Sequence, residues 1–150
     1  MIKPLRHFAD LSQAERALFV YTAAWLVVAR VALWSMPFNA ARRLTLPGPT
    51  VAHKLASIRV SRMAWAVQAA ARRIPSASCL TRALVMERML LRAGRSPVIH
   101  IGVSKGEERG FESHAWVEHE GAVVLGDDGQ LERFVPMLAL ARNSNHKLQP

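Results

Sequence analysis

The spacing of apolar positions along the chain changes once, near Gly94. Before it, apolar residues recur every three to four positions; after it, they alternate. The first helical run, "ALFVYTAAWLVVARVALWSM" (residues 17–36), is preceded by Ser12 and, three residues on, Glu15. That is a capping-box spacing, and it predicts a helix over Gln13–Ser35 that stops before Pro37. Its apolar residues wrap most of the circumference, so burial on several sides is expected. Residues 37–49 hold Pro37, Asn39, Pro47, Gly48 and Pro49 and read as a connector carrying Arg42-Arg43. A second helix is expected over residues 51–73, with Leu55, Ile58 or Val60, Met63, Ala66 or Val67, and Ala70 on one side. Lys54, Arg59, Arg62, Arg72 and Arg73 would form its solvated face. Ile74-Pro75 breaks that helix. Ser76 or Ser78 can cap the next, Cys79–Arg92, which ends at Gly94.

Beyond Gly94, Ile99, Ile101 and Val103 alternate with Val98, His100, Gly102 and Ser104, which predicts a strand. A polar loop, "GEERG" (residues 106–110), leads to "FESHAWVEHE". There Phe111, Ser113, Ala115, Val117 and His119 alternate with Glu112, His114, Trp116 and Glu118. A turn at Glu120-Gly121 introduces a short third strand, "AVVLG". Asp127-Asp128-Gly129 forms another turn, and "LERFVP" is a fourth strand or an edge. The tail after Ala141 is polar, and fraying is expected there. Helices first and an antiparallel meander afterwards predict an α+β fold, with N-terminal helices packed on a small sheet. Residues 1–49 (apolar helix and connector) and residues 50–150 (the core) are expected to act as a single domain, 1–150.

The chain has 150 residues and a hydrophobic fraction of 51%, enough for one core without staples. Its formal net charge is +9. That balance admits nucleic acid, an anionic membrane surface or an acidic protein as partner. The basic residues are dispersed and no aromatics interleave with them, which argues against nucleic acid. Asp10 and Glu15 ahead of the apolar run, with no small-residue cleavage site after it, argue against a signal peptide. Arg30 inside the run costs roughly 2.5–3.5 kcal/mol at the centre of a membrane span. Membrane contact through residues 13–36 is therefore less favoured than a buried or partner-facing helix. The single cysteine forms no internal bridge, and a reduced cytoplasmic setting fits it. No cofactor is expected. No metal site is expected either, because one cysteine and scattered histidines lack ligand spacing.

That cysteine, Cys79, falls at a predicted helix start. Unpaired N–H groups and the positive end of the helix dipole favour negative charge there, and the thiolate is the nucleophilic form. The same N–H groups can hold an oxyanion. Against this stands the ordinary use of cysteine as a small buried hydrophobe. A nucleophile needs a base. Of His7, His53, His100, His114, His119 and His146, His114 stands out. It sits mid-strand, two residues before Trp116, where a rigid backbone could aim it at a helix end. Asp127 or Asp128, after the next strand, could fix its tautomer. His100 reads as an ordinary sheet histidine. Trp116 reads either as a groove wall or as core.

Cysteine, then histidine, then aspartate in this order resembles the transglutaminase-like cysteine proteases. The runs "CLTRALVMERMLLRAG", "VIHIGVSK", "GFESHAWVEHEGAVVLGD" and "LERFVP" are similar to lasso peptide B2 proteins, the leader peptidases of lasso peptide biosynthesis. The resemblance spans roughly residues 10–136. It implies a transglutaminase/papain-like core with Cys79 as nucleophile, His114 as base and later acid, and Asp127 as the acidic member. Asp128 is adjacent, and Gly126 falls where some relatives place the acid. It further implies hydrolysis of the leader–core bond of a precursor peptide. The implied partners are a leader-binding B1 protein and possibly the lasso cyclase. The short chain implies the standalone B2 form. Three other readings are a non-catalytic scaffold of the same fold, a membrane- or partner-docking helix protein, and a transglutaminase-type acyl transferase.

Overall fold

The computed structural model describes residues 10–48, 55–106 and 110–142. Among them are four helices, α1 (Gln13–Ser35), α2 (Phe38–Thr45), α3 (Val60–Ala71) and α4 (Cys79–Arg92). Four strands follow, β1 (Pro97–Gly106), β2 (Gly110–His119), β3 (Ala122–Leu125) and β4 (Val135–Leu140). The fold is α+β. All neighbouring strands run antiparallel in the order β3-β2-β1-β4.

The capping box at Ser12 and Glu15 forms as expected, with each residue's side chain accepting from the other's backbone N–H. The predicted burial of α1 is corrected. Leu18, Thr22, Leu26, Ala29 and Ala32 form a single buried stripe, while Val20, Val27, Val31 and Trp34 are exposed. The helix passes length and hydropathy criteria for a membrane span, with 28% of the tested window buried.

The connector over residues 37–49 is also corrected, because α2 occupies most of it. Pro37 sits at its N-cap, where a missing N–H costs nothing, and "FNAARRLT" contains no helix breaker. Two arginines tie α2 to α4. Arg42 grips the buried Glu87 carboxylate through Nε at 3.2 Å and Nη2 at 2.6 Å. Arg88 donates to the Thr45 carbonyl at the end of α2 and to the Tyr21 hydroxyl, with its guanidinium 3.6 Å from the Trp25 ring centroid. The second predicted helix, expected over residues 51–73, is shorter than expected. It starts at Val60 rather than Val51, a turn covers 55–57, and residues 51–54 lie outside the described residues. Arg59, Arg62, Arg72 and Arg73 are exposed as expected.

Ser78 caps α4, its Oγ accepting from the Thr81 N–H. Gly94 takes φ +74 just past the helix end, as the C-cap reading required. The register pairs Ile99 with Val117 and Ile101 with Ala115 on the face that meets the helices. His100 pairs with Trp116 and Gly102 with His114 on the other face. The Glu120-Gly121 turn has both residues at positive φ, the geometry of a tight hairpin. The "LERFVP" strand is corrected too: Leu131–Arg133 is a 3₁₀ turn, and β4 begins only at Val135.

Candidate active site

Each candidate side chain is placed by a different element. Cys79 is the first residue of α4, immediately after the Ser78 cap, so its backbone N–H has no intrahelical acceptor. It is partly exposed. His114 lies on β2. The β3 strand pairs only with Val117–His119, so the edge of β2 is open at His114 and Ala115. The turn after β3 crosses that open edge.

Gly126 makes this crossing possible. It adopts φ +94, and a Cβ there would lie 2.9 Å from the Ala115 carbonyl oxygen and from the Trp116 Cα. Only glycine fits both the angle and the approach. The close approach puts the Gly126 carbonyl 2.6 Å from His114 Nε2. A carbonyl can only accept, so Nε2 carries the proton and donates. In the neutral ring, Nδ1 is then the nitrogen with the free lone pair. The imidazole is held from its sides as well, by Trp116 at 6.2 Å between centroids and Phe134 at 5.2 Å. Trp116 is 5% exposed and stacks on His100 on its other side. It thus acts as a wedge between two histidines on the outer sheet face rather than a wall of the pocket. His100 Nε2 lies 3.0 Å from a Glu118 oxygen, outside hydrogen-bond geometry.

Cys79, His114, Asp127 and Asp128 all line one pocket of about 140 Å³, together with Gln68, Arg82, Ala115, Leu125 and Gly126. One ordered water needs roughly 10–15 Å³, so the space admits a peptide group with part of a side chain. The Asp127 Oδ1 accepts from the Gly129 N–H at 2.8 Å, and the Asp128 Oδ1 accepts from the Gln130 N–H at 3.0 Å. The structure therefore brings thiol, imidazole and both carboxylates to one place. It joins His114 to the Gly126 carbonyl, not to either carboxylate. Among the described residues, no hydrogen bond joins the Cys79 thiol to His114; in ligand-free sites such contacts are commonly long. His119 sits elsewhere, 3.5 Å from the Ser96 carbonyl; His7, His53 and His146 lie outside the described residues. No cluster of three His, Cys, Asp or Glu able to hold a metal occurs among the described residues.

Sequence reasoning missed Gly126 as the partner of His114. The available signal was a glycine between a strand end and Asp-Asp, which marks a special φ. A thiol at a helix start that shares a pocket with an oriented imidazole suits acyl transfer through a thioester. The family model described as the transglutaminase-like superfamily matches residues 23–139. Comparison with curated proteins and with solved structures finds no match.

Proposed function

The chain belongs to the transglutaminase-like superfamily, and from that premise we propose that it is a cysteine peptidase that removes the leader from a ribosomally made precursor peptide in lasso peptide biosynthesis. The observation that carries the catalytic part is the shared pocket of Cys79 and His114. The lasso reading is supported by the resemblance of "CLTRALVMERMLLRAG" and "SHAWVEHE" to B2 leader peptidases. On that reading the chain works in the cytoplasm with a leader-binding B1 protein, and its product passes to the lasso cyclase.

In the proposed mechanism, His114 Nδ1 takes the thiol proton. Cys79 attacks the scissile carbonyl, and the oxyanion is met by the free N–H groups at the start of α4. The amine of the core peptide leaves with the proton from His114. A water, deprotonated by the same nitrogen, releases the leader acid from the thioester. Through all of this the Gly126 carbonyl keeps the ring in one tautomer and steadies the imidazolium. Asp127 is the acidic member. Its carboxylate shapes the turn that presents Gly126, and it lines the same pocket as the ring.

The test is mass spectrometry of the cognate precursor with the full chain and its B1 partner, beside Cys79→Ala. Cleavage is expected from the wild type and none from the variant. Equal cleavage by both would refute the nucleophile assignment. A product carrying an amine in place of water would mark an acyl transferase, and no cleavage by either chain would favour a scaffold. Asp127→Asn keeps an oxygen for the Gly129 N–H, so it should lower kcat far less than Asp127→Ala. A loss of about 10,000-fold in Asp127→Asn, as seen where a carboxylate directly orients a catalytic imidazole, would make Asp127 the direct partner instead.

A further inference from the structure

We infer that the chain has a carboxylate-binding subsite beside Cys79, built by Arg82 and Arg72, that receives an acidic side chain of the substrate next to the scissile bond. The inference rests on the reading of Cys79 as the nucleophile. Arg82 follows Cys79 by three residues in α4, so the two stand on the same helix face one turn apart. A second depression of about 210 Å³ is lined by Gln68, Ala71, Arg72 and Arg82. It shares Gln68 and Arg82 with the pocket that holds Cys79. The two therefore adjoin at Gln68 and Arg82, with the thiol, His114 and the turn after β3 lining the first and Arg72 lining the second.

Neither arginine has an ion-pair partner among the described residues, whereas Arg42, Arg62 and Arg133 each meet a carboxylate. Asp127 and Asp128 face the first pocket, but each uses an oxygen on its own turn and neither pairs with Arg82. The Arg82 Nε is shielded from solvent and has no hydrogen-bond partner. A buried donor left unmade is costly, and a carboxylate that draws the Arg82 side chain toward it relieves that cost. The guanidinium fork matches a carboxylate with two parallel bonds. A group this near the thiol must belong to the molecule being cut, and the anionic groups of a peptide are carboxylates.

A peptide library of mixed sequence, incubated with the full chain and read by mass spectrometry, tests this. Asp or Glu should be enriched about tenfold or more at one position within three residues of the cut. The enrichment should fall to near unity in Arg82→Gln and reverse toward Lys or Arg in Arg72→Glu. Arg82→Lys, which keeps the charge without the fork, should retain part of it. A purely structural arginine would alter the melting temperature and leave the preference alone. No acidic enrichment in the wild type, or enrichment unchanged in Arg82→Gln, overturns the subsite. If no peptide is cut at all, the peptidase reading is decided separately by the cognate precursor and its B1 partner. The subsite is then read by titrating the Cys79→Ala protein with acetyl-Ala-Glu-Ala-amide and its Gln counterpart. A shift of the Arg82 Nε–H resonance with the Glu peptide alone supports it; equal shifts, or none, overturn it.

Discussion

Helices α1 and α4 invert what their compositions lead one to expect. Over its 23 residues α1 carries charge only at Glu15, Arg16 and Arg30, yet five residues are buried. The 14 residues of α4 include Arg82, Glu87, Arg88 and Arg92, yet ten are buried, Glu87 and Arg88 among them. The difference is position. One side of α4 meets β1 and β2, and the rest is covered by α1, α2 and α3. Helix α1 lies outside that layer and offers it one stripe. Burial therefore follows place in the layers, and the two buried charges of α4 are tolerated because each has partners. Glu87 has the Arg42 fork; Arg88 has the Trp25 face, the Tyr21 hydroxyl and the Thr45 carbonyl.

Stripping α4 of one partner should destabilise the chain most. Glu87→Ala leaves Arg42, whose side chain is only 15% exposed, without its carboxylate. Losing one member of a buried pair costs about 3–5 kcal/mol, a large share of the roughly 5–15 kcal/mol that holds a domain folded. The urea midpoint measures it. The pair Arg42→Met with Glu87→Leu removes both charges and should recover most of that loss. A double variant as weak as the single would mean the pair contributes net stability rather than merely avoiding a penalty.

The same group sets a pH dependence. Burial pushes the Glu87 carboxyl above the ordinary glutamate value, and Arg42 opposes this only in part. The folded chain then holds that proton more tightly than the unfolded chain. Between the ordinary value and the raised one, stability falls as pH rises. Glu15 has the opposite sign. The Ser12 backbone N–H, with help from the Ser12 hydroxyl and Arg62, holds its carboxyl low, so its contribution is lost as pH falls. Between pH about 7 and 4, the melting temperature of the wild type should rise relative to that of Glu87→Gln, because only the wild type regains stability there. Parallel curves would show that Glu87 ionises as it does in water.

On α1 itself, Leu26 is fully buried against α4 and its neighbours. Leu26→Ala should cost about 2–5 kcal/mol, read as a drop in the denaturant midpoint at constant m-value. A smaller loss would mean the site collapses around the missing methyl groups, and that the inner stripe of α1 is loosely held.

These results also locate what the sequence made legible. Period and punctuation carried the ends of α1 and α4, the hairpin at Glu120-Gly121, and the parity that sets Ala115 and Val117 on one face of β2 and His114 on the other. Those signals are local, so a single chain contains them. What went unread depends on tertiary contact. The helicity of α2 looked like connector because flanking prolines outweighed "FNAARRLT", and its support comes from Glu87 and Arg88, both more than forty residues away. One-sided burial of α1 cannot be read from its own hydropathy. The partner of His114 is a backbone oxygen, and no residue type announces which carbonyl it will meet. The approach of Gly126 to Ala115 and Trp116 selects it.

The smallest expected effect is the sharpest contrast, because it falls on the residue beside Leu26. Val27 belongs to the outward stripe of Val20, Ala24, Val27, Val31 and Trp34, spaced by four, three, four and three. It is 50% exposed and Trp34 is 80% exposed. Serine and valine have similar helix propensity, so Val27→Ser changes burial and little else. With half of the side chain already in water, the loss should stay within about 0.5 kcal/mol, as for ordinary surface substitutions. Two adjacent residues of equally apolar character would then differ several-fold in what they contribute, which is the claim that position rather than hydropathy decides. If Val27→Ser lowers the midpoint as much as Leu26→Ala, the outward stripe is covered in solution. Hydropathy, not place in the layers, would then have been the better guide to α1.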